Sequence, residues 1–115
     1  MTSGTSFEQR EIVLTPFPFS DLSNIKQRPV LILSNNEYNY KTEDLLVCGL
    51  TSTLKDTEYS VLIDNKNLEA GMIPLKSRIK VDKIFTLEQS LFKKKLGKLD
   101  KETFEKVKEE LMKLI

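Results

Sequence analysis

At 115 residues and 13.3 kDa the chain has the length of one domain, about 100–150 residues being typical, and its 39% hydrophobic and 30% charged content reads as soluble and globular rather than disordered. Histidine is absent and Cys48 is the lone cysteine, which excludes a histidine base or ligand, an intrachain disulfide and a paired-cysteine zinc site, and fits a reducing compartment. The net charge of +1 hides an asymmetry: residues 1–60 hold five Lys/Arg against eight Asp/Glu, whereas residues 76–98 hold eight against two, a local excess that attracts polyanions or simply solvates a Lys-rich face.

Residues 1–9 are small and polar and read as a loose terminus, leaving residues 10–115 as a single domain. Ile12-Val13-Leu14 is a short strand that stops at Thr15-Pro16. Pro16-Phe17-Pro18-Phe19 is placed outside the sheet, because proline lacks the amide donor. Residues 20–27 are rich in turn formers and read as a loop. Residues 29–34 are a strand whose unbroken apolar run, Val30-Leu31-Ile32-Leu33, predicts burial on both faces. A run of about four apolar residues is also far short of the roughly 20 needed to cross a membrane or the longer core of a signal peptide. Residues 45–50 form the next strand after a polar segment, 35–44.

Residues 59–63 alternate weakly, and Gly71 and Pro74 punctuate a loop. Residues 77–85 alternate in part, with Ile79, Val81 and Lys83 on one side. Thr86 and Gln89 have the spacing of a capping box, which predicts a short helix there. Residues 93–98 return as a strand. The last element is an amphipathic helix. Asp100 caps it, Glu102 suits its positive end, and Leu99 and Phe104 stand at the two positions of a hydrophobic staple. Phe104, Val107, Leu111 and Leu114 make its apolar stripe, and Glu102–Lys106 and Glu109–Lys113 its ion pairs. Five or six short strands before one packing helix predict a small, partly closed β-barrel with a terminal helix.

No Gly-rich phosphate loop, metal cluster or nucleophile elbow is present, so chemistry falls to arginine, hydroxyls and carboxylates. Arg28 is one of three arginines among 18 basic residues and lies between a polar loop and a buried strand. Its fork of donors matches two phosphate oxygens; pairing with a carboxylate at the strand edge is the ordinary alternative. Thr51-Ser52-Thr53 ends a strand, where hydroxyls bond a phosphate or merely a turn. Phe17, Phe19, Tyr38 and Tyr40 either stack bases or close the ends of a core. Cys48, among Val47, Gly49 and Leu50, reads as a small buried apolar residue.

Four segments together resemble the PemK/MazF family of toxin endoribonucleases from type II toxin–antitoxin systems. They are residues 11–23, Glu11-Ile12-Val13-Leu14-Thr15-Pro16-Phe17-Pro18-Phe19-Ser20-Asp21-Leu22-Ser23; residues 26–35, Lys26-Gln27-Arg28-Pro29-Val30-Leu31-Ile32-Leu33-Ser34-Asn35, with Glu37-Tyr38-Asn39 just after; Leu50-Thr51-Ser52; and Lys80-Val81-Asp82-Lys83-Ile84-Phe85-Thr86-Leu87, continuing through Lys94-Lys95-Leu96-Gly97-Lys98-Leu99. The resemblance implies an SH3-like barrel with a C-terminal helix and a symmetric cytoplasmic homodimer. It implies cleavage of single-stranded RNA at short sequence motifs, with no metal, cofactor or membrane, and a cognate antitoxin as partner. Arg28 and Thr51 take the positions of the family's catalytic pair. Phe19, Asp21, Ser23, Lys26, Gln27, Ser52 and Ser77 fall at substrate-binding positions, the segment 19–27 covering the site. Three positions depart from the pattern. Arg10 replaces the usual glycine before the first acidic residue, Asn24-Ile25 replaces a small pair, and a proline expected just before Ser77 is shifted to Pro74.

The composition agrees with that chemistry. RNA carries its own nucleophile, a 2′-hydroxyl beside the phosphorus, so attack is intramolecular and needs no activated water. A guanidinium resists deprotonation, so Arg28 reads as a charge stabiliser, with Glu11 or Asp21 as the possible proton acceptor. Two other readings share the barrel: a non-catalytic toxin acting on a protein such as DNA gyrase, in the manner of the CcdB toxins, and an RNA-binding module without activity.

Overall fold

The computed structural model describes residues 6–18 and 25–115. Seven strands are joined in one curled antiparallel sheet, a half-barrel closed by a C-terminal helix. They are β1 (Glu11–Pro18), β2 (Ile25–Ile32), β3 (Asp44–Thr51), β4 (Ser60–Ile63), β5 (Leu68–Gly71), β6 (Ser77–Glu88) and β7 (Lys94–Leu99), with helices α1 (Asn36–Lys41) and α2 (Lys101–Met112). The strand order is β4-β6-β3-β2-β1-β7-β5.

Side chains alternate across the sheet, and both faces are apolar at its centre. Inward go Ile12, Leu31, Leu33, Cys48, Leu50 and Ile79, meeting Phe104 and Val107 of α2. Outward go Val13, Val30, Ile32, Leu45 and Val47, covered by Phe92 and partly by Phe7, Phe85 and Leu87. The unbroken run in β2 thus feeds two separate cores, as its pattern predicts. Helix α2 forms as its signals indicate. Asp100 accepts from the Thr103 amide at 2.7 Å, and the staple pair Leu99 and Phe104 is buried. Its ion pairs differ: Lys108–Glu105 and Lys113–Glu110 are three apart rather than four, and Leu114 lies beyond the helix, partly exposed.

Four expectations are corrected. Pro16 and Pro18 do lie in β1, opposite Gln27 and Ile25 of β2. Pairing of β1 with β7 stops at Leu14, so beyond it β1 has β2 on one side only. Prolines two residues apart put both missing donors on the same side, and the open side tolerates that. Residues 25–27, expected in a loop, therefore belong to β2. The helix expected from Thr86 is instead the end of β6, with a short 3-10 turn at Gln89–Leu91. Its ladder with β3 runs on through Leu46↔Thr86, Leu45↔Leu87 and Asp44↔Glu88, and those pairings outweigh a local cap. Finally, part of the terminus read as loose is fixed. Phe7 meets the Phe92 ring edge-on at 5.0 Å, and the Gln9 side chain donates to the Leu33 carbonyl at 2.8 Å.

Candidate functional site

The site follows from strand register. Thr15 of β1 faces Arg28 of β2. Val30 of β2 faces Gly49 of β3, so two residues further along both strands Arg28 comes opposite Thr51. Thr51 faces Arg78 of β6. Directly opposed residues share a face, so Arg28, Thr51 and Arg78 make one row across three neighbouring strands on the outer face. The next row is Val30, Gly49 and Lys80. Its centre carries no side chain, and a Cβ placed on Gly49 would meet nothing within 4 Å. The missing side chain opens a groove of about 550 Å³.

The groove's floor is apolar, with Val30 and Phe85 of the outer face. Its walls carry Arg28, Lys55, Arg78, Lys80 and Lys83, with no carboxylate among the described residues that line it. Five cations around an apolar floor attract a polyanion bearing flat apolar groups. The β3–β6 ladder shifts register between Cys48, opposite Ile84, and Gly49, opposite Lys80. This bulge re-aims the strand, so Lys83 lines the groove rather than joining Ile79 and Val81 inside. Thr51 Oγ1 accepts the Thr53 amide at 3.1 Å, which fixes the hydroxyl and leaves its proton available for donation.

Gln27, Ser52 and Ser77 alternate to the other face. They line a smaller cavity of about 240 Å³ together with Ile73, Pro74 and Leu75. Arg28, Pro29 and Leu50 line both cavities, so Arg28 sits at the lip between them. Ser77 is buried, and its hydroxyl is committed to the Leu75 carbonyl at 2.9 Å. Lys26 is exposed on the Arg28 face. Phe19, Asp21 and Ser23 lie outside the described residues.

The whole chain from residue 8 to residue 115 matches the model of the PemK-like, MazF-like toxins of type II toxin–antitoxin systems. The chain belongs to that family. Among curated protein sequences none matches it. Among solved structures, a mycobacterial endoribonuclease bound to its cognate antitoxin superposes with a TM-score of 0.76 at 24% identity, over 94% of this chain and 93% of that one. The MazE–MazF complex of Deinococcus radiodurans gives 0.78 at 20%, over 96% of each chain. The Mycobacterium tuberculosis toxin MazF-mt6 gives 0.73 at 20%, over 90% of this chain and 94% of that one. At these identities the likeness is one of fold.

Arg28 and Thr51 line the same groove, and Glu11 does not line it. Glu11 faces outward on β1, four residues and about 13 Å of strand from Thr15, the residue opposite Arg28. Its carboxylate is held by the Glu8 amide at 2.7 Å and Lys95 at 3.2 Å. Both contacts anchor it to the segment before β1 and to β7. The basic stretch also divides. Arg78, Lys80 and Lys83 reach the groove, whereas Lys93, Lys94 and Lys95 border a separate cavity with Tyr40 and Phe92. Tyr38 and Tyr40 belong to α1, away from Arg28.

Cys48 is buried in the inner core. Burial, with the Asp82 charge adding to it, pushes its thiol up to about 12, so it is a packing residue and no nucleophile at neutral pH. Sequence reasoning missed Arg78 and Lys80 as individuals. The available signal was the alternation Arg78, Lys80 against Ile79, Val81, which sends both cations to the face opposite the core.

Proposed function

We propose that the protein is an endoribonuclease toxin that cuts single-stranded RNA through the RNA's own 2′-hydroxyl. The observation that carries this reading is that Arg28 and Thr51 both line a groove walled by cations. An RNA strand lies along the walls with bases against the apolar floor. Arg28 donates two charge-assisted hydrogen bonds to the non-bridging oxygens of the scissile phosphate. Thr51 donates one more and orients the ribose. The 2′-oxygen bonds to phosphorus, the bond to the 5′-oxygen breaks, and one proton passes from the 2′-hydroxyl to the leaving oxygen. Arg28 gains most as charge builds on the phosphate, so it stabilises the transition state over the ground state. No metal or cofactor is required for this route. The products are a 2′,3′-cyclic phosphate and a 5′-hydroxyl.

We further propose a homodimer in the cytoplasm and a cognate antitoxin. The apolar floor, with Leu54, Leu62 and Ile84 exposed, suits a protein surface. An antitoxin segment bearing apolar and acidic residues would complement floor and walls alike. The test is incubation of purified protein with RNA in EDTA and mass spectrometry of the ends. Arg28→Ala separates catalysis from binding: cutting is lost with RNA binding retained. If Arg28→Ala cuts at the wild-type rate, the assignment is wrong.

A further inference from the structure

We propose that Arg78 is a second phosphate-binding residue, which grips the RNA phosphate next to the one held by Arg28. The inference rests on reading the groove as an RNA-cleavage site and extends it to a residue outside the Arg28–Thr51 pair.

The first observation is a buried guanidinium with little compensation. The Arg78 side chain is only 10% exposed. Its Nη1 donates to Ser60 Oγ at 3.1 Å and lies 3.4 Å from Asp56 Oδ1. Asp56 is 92% exposed, so the countercharge stands largely in solvent. The Arg78 Nε is buried and has no hydrogen-bond partner among the described residues. A purely structural buried arginine is expected to meet a buried carboxylate and to have its donors satisfied. The other ionised residues among the described ones that line the groove are Arg28, Lys55, Lys80 and Lys83, all of the same sign.

The second observation is placement. Arg78 faces Thr51 on one side, and the β2–β3 register, continued two residues beyond Val30 and Gly49, sets Arg28 on the other. Two strand spacings put the Arg28 and Arg78 backbones about 10 Å apart, and both side chains line the same groove. An anion arriving there meets the Nη end of the guanidinium, which now reaches the exposed Asp56, and arginine offers phosphate two donors there. The exposed Asp56 carboxylate yields its place. The strand of RNA therefore crosses β2, β3 and β6 nearly at right angles, with successive phosphates on the two guanidiniums. Arg78 touches no reacting atom. It positions the strand.

The test couples a protein change to a substrate change. Single-stranded RNA spanning a mapped cut is made uncleavable by 2′-O-methylation at that site. In each of a series, one phosphate is replaced by a neutral methylphosphonate. Binding is read by fluorescence anisotropy for the wild type, Arg78→Met and Arg78→Lys. The wild type is expected to lose about tenfold in affinity when the phosphate adjacent to the scissile one is neutralised. Arg78→Met is expected to lose about tenfold on unmodified RNA and to be indifferent to that one replacement, with Arg78→Lys between. Equal sensitivity of wild type and Arg78→Met at every phosphate overturns the proposal. If Arg78→Met does not fold, as judged by circular dichroism, the same cycle with Arg78→Lys decides. A wild type that cuts no RNA refutes the ribonuclease reading, whereas intact cutting without this coupling refutes Arg78 alone.

Discussion

Arg10 adopts φ 78°, a left-handed conformation that costs a non-glycine residue about 1–2 kcal/mol. That geometry suits the glycine that the family resemblance leads one to expect at this position. This chain offsets the strain by using the side chain: Nη1 donates to the Leu99 carbonyl at 2.7 Å and to Glu69 at 2.8 Å, tying β1 to β7 and β5. Arg10→Ala keeps the strain and loses the bonds, whereas Arg10→Gly loses only the bonds. Urea unfolding should therefore rank Arg10→Gly above Arg10→Ala by about 1 kcal/mol; the reverse order would remove the strain argument. At Arg28, Lys keeps charge but not the two-donor fork. Arg28→Ala should lower the cleavage rate by about 10²–10³, or about 3–4 kcal/mol, and single-turnover kinetics should place Arg28→Lys closer to alanine than to wild type. Arg28 was legible because its neighbours form a local pattern, an arginine before Pro29 at a strand start. Arg78 was not, because its meaning comes from Thr51 across the β3–β6 ladder, and register is not written in a local pattern.

Among the elements, β2, β3 and α2 were legible because burial fixes their periodicity. Helix α1 was not. It has six residues, and its cap, Asn35 accepting from the Tyr38 amide at 2.8 Å, sits in a polar stretch without an apolar stripe. Strand β5 was hidden for a related reason: it is an edge strand of four residues, Leu68–Gly71, with little buried. Residues 6–9 show how a polar terminus is recruited. Phe7 completes the outer core over Phe92, and Glu8 pairs with Lys98 at 2.8 Å. Phe7→Ala should cost about 1–2 kcal/mol in urea unfolding, from lost apolar area and an edge-to-face contact. The Lys98 ammonium, by its hydrogen bond and its charge, holds Glu8 below the usual carboxylate range. That pair therefore contributes stability above the ordinary glutamate pKa and loses it as pH falls through Glu8's own lowered value. Thermal melts from pH 7 to pH 3 should show a smaller acid-side loss for Glu8→Gln than for the wild type.

For the molecule as a whole, the sheet does two jobs with its two faces. The inner face folds around α2, and the outer face leaves a trough where Gly49 omits a side chain between Val30 and Lys80. The near-neutral total charge conceals this arrangement, since Arg28, Lys55, Arg78, Lys80 and Lys83 converge on the trough and no carboxylate among the described residues lines it. Composition revealed the excess of cations in residues 76–98 but not its division between two cavities, which depends on how β6 and β7 lie in the sheet. Filling the trough is a direct probe, because the backbone there accepts a side chain. Gly49→Val should fold with an unchanged circular dichroism spectrum and lose RNA cleavage. Unimpaired cleavage would mean that the reaction happens elsewhere. The central claim is that guanidinium and hydroxyl donors steady a phosphate while the ribose cuts its own strand. Its most direct test is the identity of the ends left on RNA by the purified protein in EDTA. The account predicts a 2′,3′-cyclic phosphate facing a 5′-hydroxyl; a 3′-hydroxyl with a 5′-phosphate, or uncut RNA, contradicts it.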